Sequence, residues 1–163
     1  MDALSASCAA EAAERLGALP ERSYNPFNLV VADMREAFLL SYRETPRLRI
    51  LDPGAHVVGN TDPDDLAAPK VKRILERAEK AAMHPRDSVL ARLASVCSEH
   101  DSPESPLGDA CVHAELYGTR SSTLLSLAEG ELEHHNSRLL YADGPPCRTE
   151  YRDFTSLLAE PSR

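Results

Sequence analysis

Two apolar runs, residues 27–32 and 36–42, are separated only by Asp33-Met34-Arg35, and this spacing restricts the fold more than any other feature. A connection that short joins antiparallel neighbours, so the runs are predicted as the two strands of a hairpin. Alternation along the second run puts Phe38, Leu40 and Tyr42 on one face. Further strand-like segments follow at 48–51, at 55–58 (after Pro53-Gly54 and ending on Gly59-Asn60), at 110–113, 122–127 and 138–141, with a return strand at 131–134 after a Glu129-Gly130 turn. Residues 151–158 form a last weak element, expected to pack through Tyr151, Phe154, Leu157 and Leu158.

Helical periodicity appears in three places. Residues 2–19 are predicted as a helix from the recurrence of Leu4, Cys8, Ala12 and Leu16, closed by Leu19-Pro20. A second helix carries Val71, Ile74, Leu75, Ala78 and Ala82 inward, with Lys72, Arg73, Glu76 and Glu79 outward. The acidic stretch Asp62-Pro63-Asp64-Asp65 precedes it and favours its N-terminus. A third helix is predicted with Asp87 as N-cap and Val89, Leu90, Leu93 and Val96 inward. Residues 101–109, rich in Pro and charge, read as a loop. The order is helix, strands, two helices, strands. Because the strands are joined as hairpins rather than through helices, the expected class is a layered α+β fold. At 163 residues the chain is expected to form one domain, 1–163.

Composition narrows the function. The net charge of −8 supplies no basic stripe for a nucleic-acid backbone or an anionic membrane surface. No apolar run is long enough to span a membrane, and Met1-Asp2-Ala3-Leu4 does not resemble a signal peptide, so a cytoplasmic protein is expected. Cys8, Cys97, Cys111 and Cys147 contain no Cys-x-x-Cys pair, so they are expected as reduced thiols, several of them buried. With aromatics at 5% and no Trp, the core must be built from Leu, Val and Ala.

Each candidate site competes with an ordinary structural role. His134-His135, near Glu131 and Glu133, would point to opposite faces of a strand and cannot easily share an ion. Asp62, Asp64 and Asp65 lack the offsets of a calcium loop. No metal and no cofactor are expected. Ser121, Ser122 and Thr123 have no nucleophile elbow around them. Cys111 and His113 would share a strand face with Cα atoms about 7 Å apart, loose for a nucleophile and its base, so Cys111 reads as a core thiol. Arg120 lies among Gly118, Thr119, Ser121 and Ser122, which suits either an arginine held at the floor of a site or a solvated one on an exposed hairpin. Asn60 either caps its turn or aims its amide at a developing oxyanion.

Several stretches together resemble the NRDE family, which includes the transport and Golgi organization protein 2 proteins. They are Tyr24-Asn25-Pro26-Phe27-Asn28-Leu29-Val30-Val31-Ala32-Asp33, Gly54-Ala55-His56-Val57-Val58-Gly59-Asn60 with Pro69-Lys70-Val71, Cys111-Val112-His113 with Tyr117-Gly118-Thr119-Arg120-Ser121-Ser122-Thr123, and Tyr141-Ala142-Asp143-Gly144-Pro145-Pro146-Cys147. The last resembles the bacterial branch. The resemblance implies an αββα sandwich like that of the N-terminal nucleophile hydrolases, here incomplete. Family members begin Met-Cys and carry an Asn-Arg-Asp-Glu motif, and neither occurs in this sequence, which resembles the C-terminal part of a full member. By that resemblance Asn60 would face the oxyanion or substrate and Arg120 would orient the nucleophile, which has no counterpart here; Cys8 does not replace it. The implied function is a family protein lacking catalysis alone. The alternatives are one half of a split amide hydrolase or a small-ligand module for lipid or haem handling. Expected partners are a missing N-terminal half or a second copy of the chain, together with an unidentified small molecule.

Overall fold

The structure, a computed structural model, describes residues 3–100, 105–128 and 137–158. They form two compact units, residues 1–65 and 66–163. Each contains helix and one antiparallel three-stranded sheet, which makes the class α+β.

In the first unit, β1 (Phe27–Ala32), β2 (Ala37–Tyr42) and β3 (Pro46–Leu51) form a meander with β2 central. The hairpin read from the short 33–35 connection is present, with Phe27 opposite Tyr42 and Ala32 opposite Ala37. Helix α1 (Ala9–Gly17) covers the Phe38, Leu40 and Tyr42 face, where Leu16 and Leu19 meet Leu40 and Tyr42, and Ala9 and Ala13 meet Phe38. Tyr42 is fully buried and keeps its hydroxyl satisfied, donating to the Pro20 carbonyl at 2.6 Å and accepting the Ser23 amide at 3.0 Å. Its ring stacks on Phe27 with centroids 5.2 Å apart.

The first helix is shorter than the predicted 2–19. Ala3–Ser5 is a separate 3-10 turn, Leu4 is 97% exposed, and the helix begins only after Cys8, whose backbone is extended. The cause is local competition: the Glu11 carboxylate accepts from both the amide and the hydroxyl of Ser7, a closure that ends the chain's approach before the helix starts. Asp33 completes the helix N-terminus from the hairpin, accepting the Ala9 amide at 2.9 Å while its other oxygen accepts Arg35 and Glu36 amides. Those three donors, Ala9 first, hold the Asp33 carboxyl below its ordinary range.

Residues 55–58 are not a strand. Their polar groups are taken by side chains instead of a ladder. The Val57 amide donates to Asp64 Oδ1 at 2.7 Å, and the His56 ring lies between Asp64 Oδ2 at 2.9 Å and the Asp52 carbonyl at 2.8 Å. The acidic stretch thus turns back onto its own unit: Asp64 also accepts Arg49, and Asp62 pairs with Arg43.

In the second unit, α2 (Pro69–Ala82) and α3 (Arg86–Cys97) pack on each other, and α3 packs on β4 (Ser122–Ser126). β4 pairs with β5 (Arg138–Ala142), and β5 with the two-residue β6 (Arg152–Asp153). Helix α3 starts at Arg86 with Pro85, whose ψ of 144° is still extended, in the cap position rather than Asp87. On α2 the predicted face holds from Val71 through Ile74, Leu75 and Ala78, but its last member shifts by one residue, with Ala81 buried and Ala82 exposed. Arg73 is drawn inward: its Nε donates to Glu99 at 2.9 Å, and Arg77 Nη1 lies 2.6 Å from the other oxygen of the same carboxylate, an ion contact rather than an aligned hydrogen bond. Residues 110–113 form no strand, only a single bridge from His113 to Gly118. After β6 the chain makes a 3-10 turn, Thr155–Leu158, in which Leu157 is 71% exposed rather than packed. The predicted Glu129-Gly130 turn, the 131–134 strand and the His134-His135 pair lie outside the described residues.

Candidate functional site

Residues 111–119 double back on themselves. The Ala114 amide donates to the Tyr117 carbonyl at 2.8 Å and the Thr119 amide to the Val112 carbonyl at 3.0 Å, while Thr119 Oγ1 accepts the Val112 amide at 2.9 Å. Gly118 lies where the two arms touch, and a Cβ there would sit 3.1 Å from the Val112 carbonyl oxygen, a tight contact that the arms would have to open slightly to admit. This loop, with Pro145 and Arg148, lines an open hollow of about 820 Å³. Arg120 and Arg148 are both exposed at it, and no carboxylate forms a salt bridge with either among the described residues.

Behind the loop three side chains converge. His113 Nε2 lies 3.0 Å from Cys147 Sγ and 3.6 Å from Cys111 Sγ, and the two sulfurs are 3.6 Å apart. Cys111 is fully buried, whereas His113 and Cys147 are half-buried. The expectation that Cys111 and His113 stay too far apart to act together is corrected: without a regular strand at 110–113, the imidazole folds back toward the sulfur. Both cysteines are tethered to the end of α3, the Cys111 amide donating to the Glu99 carbonyl at 2.8 Å and Ser98 Oγ donating to the Pro146 carbonyl at 3.1 Å. Burial first, and then the neighbouring Cys111, push the Cys147 thiol above its ordinary range.

The remaining candidates sit elsewhere. Ser122 Oγ is engaged with Tyr151 Oη at 2.6 Å, and burial is the main reason the Tyr151 phenol is pushed up. Ser121 and Thr123 are exposed. Asn60 is exposed in the first unit, on a bend clamped from β1, where Asn28 Nδ2 donates to the carbonyls on either side of it, Gly59 at 2.7 Å and Thr61 at 2.8 Å. Asn60 and Arg120 therefore belong to different units.

A sequence model of the Transport and Golgi organisation 2 family matches residues 2–138. The chain belongs to this family. The match takes in the whole first sheet, all three helices, the Arg120 loop and β4, and it ends where β5 begins. Cys111 and His113 lie within the matched residues and Cys147 lies beyond them. No curated protein sequence matches the chain. No solved structure matches it either. No helix among the described residues is long and apolar enough to cross a membrane.

Nothing in the local spacing brings Cys147 to His113. The local signal was the Cys-x-His spacing, and the third member lies 34 residues beyond His113, within reach only through the turn at 144–147.

Proposed function

We propose that this Transport and Golgi organisation 2 family member binds a small anionic ligand in the hollow beside Arg120 and performs no amide hydrolysis there. The observation that carries this reading is the pair of guanidinium groups, Arg120 and Arg148, lining one hollow and forming no salt bridge with Glu115, which also lines it, or with any other carboxylate among the described residues. Guanidinium groups recognise carboxylate and phosphate by paired, charge-assisted hydrogen bonds. Tyr117 on the same wall, 61% exposed, offers an apolar ring and a hydroxyl to the rest of such a molecule. The lipid or haem cargo implied by the family resemblance falls within this chemistry, since phospholipids and haem both carry anionic groups.

Acyl transfer needs a nucleophile that substrate can reach beside its base. Cys111 has no exposed surface, the Ser122 hydroxyl is engaged by Tyr151, and the half-buried Cys147 beside His113 has its thiol pushed up by burial, away from the nucleophilic thiolate. The test is calorimetric titration of the purified chain with inorganic phosphate, acetate and a medium-chain fatty acid. Arg120→Ala is expected to weaken binding by about tenfold or more, the value of one charge-assisted hydrogen bond. Equal affinity in wild type and Arg120→Ala would discard the site, and amide hydrolysis above a buffer blank would discard the non-catalytic reading.

A further inference from the structure

We infer that Cys111, His113 and Cys147 form a binding site for a zinc-type divalent cation, with two sulfurs and one imidazole nitrogen as ligands and a fourth position left for water or another donor. The donor set is the one zinc selects, being soft thiolate and imidazole with no carboxylate among the three.

The separations support this assignment. Tetrahedral bonds of about 2.3 Å to sulfur and about 2.0–2.1 Å to nitrogen place two sulfurs about 3.8 Å apart and sulfur and nitrogen about 3.6 Å apart. The two sulfurs are 3.6 Å apart, and Cys111 Sγ is 3.6 Å from His113 Nε2. Only the 3.0 Å pair, Cys147 Sγ and His113 Nε2, must open, by about half an ångström, and neither side chain is fully buried. The backbones carrying the ligands are held before any ion arrives. Cys111 is tied to the Glu99 carbonyl, His113 is bridged to Gly118, and the Pro146 carbonyl beside Cys147 accepts from Ser98. The His100 ring stands edge-on to His113 with centroids 5.5 Å apart and limits how far that imidazole can swing. On binding, the two S–H bonds break, two metal–sulfur bonds form, and the thiol protons leave to solvent.

The site goes beyond ligand binding at Arg120. None of its three ligands is a guanidinium, so Arg120→Ala is expected to bind zinc as the wild type does even where it loses the anion.

The experiment is to purify the full chain under reducing conditions without chelator, measure its zinc by elemental mass spectrometry, and titrate the stripped protein with Zn²⁺ and with Co²⁺. Stoichiometric zinc and a thiolate-to-cobalt charge-transfer band are expected. Cys147→Ala and His113→Asn should each weaken Zn²⁺ binding by more than about tenfold while circular dichroism stays unchanged. Both positions are half-buried, so the test does not depend on the buried Cys111, whose replacement would disturb packing. Zinc affinity unchanged in both variants, no zinc retained against a weak chelator, or a Cys111–Cys147 disulfide in the freshly reduced protein would each overturn the assignment.

Discussion

Single residues decide whether the cluster behind the Arg120 loop can exist, and Gly144 is the clearest of them. Its φ is +157°, and a Cβ there would lie 2.4 Å from Thr149 Oγ1 and 3.3 Å from Thr149 Cβ. Thr149 cannot simply move away, because its amide and that of Arg148 both close on the Pro145 carbonyl at 3.0 Å in the turn that carries Cys147. Gly144→Ala is therefore expected to cost about 1–3 kcal/mol, the usual penalty for forcing atoms into filled space. Urea denaturation reads that loss directly, and an unchanged midpoint would show that the turn relaxes freely.

At the scale of elements, residues 55–58 show a segment held by side chains in place of a ladder. The His56 ring faces Asp64 and the Asp52 carbonyl, with Arg49 on the far side of the same Asp64 oxygen. The Asp52 carbonyl first, and then Asp64, raise the His56 pKa above its ordinary value near 6.5. Burial pushes Asp64 up, but His56, the Val57 amide and Arg49 outweigh it, so its carboxyl titrates below the ordinary 3.8. The signs give a window. The His56 contribution is complete below about pH 6.5 and fades as pH rises through the higher folded-state value, while the Asp64 contribution is complete above about pH 4 and fades as pH falls through the lower one. Melting temperature should therefore decline as pH rises above about 6.5 in the wild type, and His56→Gln should flatten that limb. A decline of equal steepness in both proteins would remove His56 as its source.

At the scale of the whole molecule, the first sheet carries apolar surface that its own unit does not cover. Leu48 and Ile50 sit opposite Leu40 and Phe38 on the α1 side of the sheet, yet they are 42% and 64% exposed. They belong to β3, an edge strand among the described residues, and an apolar edge invites association. The chain is expected to self-associate as concentration rises, and Ile50→Lys to keep it monodisperse to higher concentration in sedimentation velocity. Identical profiles for the two proteins would show that this surface plays no part.

The amino-acid sequence by itself determined the features that depend on near neighbours. The 33–35 connection is too short for anything but an antiparallel hairpin, alternation marks the Phe38, Leu40 and Tyr42 face, and helical spacing locates α2. The same local strings carry the family, shown by the match over residues 2–138. Tertiary structure decided what hangs on partners distant in the chain. Ser7 and Glu11 set the start of α1 within one turn, but Asp33 completes it from 24 residues away. Asp64, expected to favour the start of α2, is instead engaged by the His56 ring, the Arg49 guanidinium and the Val57 amide, three partners that converge on one carboxylate. Cys111 and Cys147 meet across 36 residues because the end of α3 holds both backbones. Periodicity reports which face of an element is buried, but not which side chains from separate turns converge on one point.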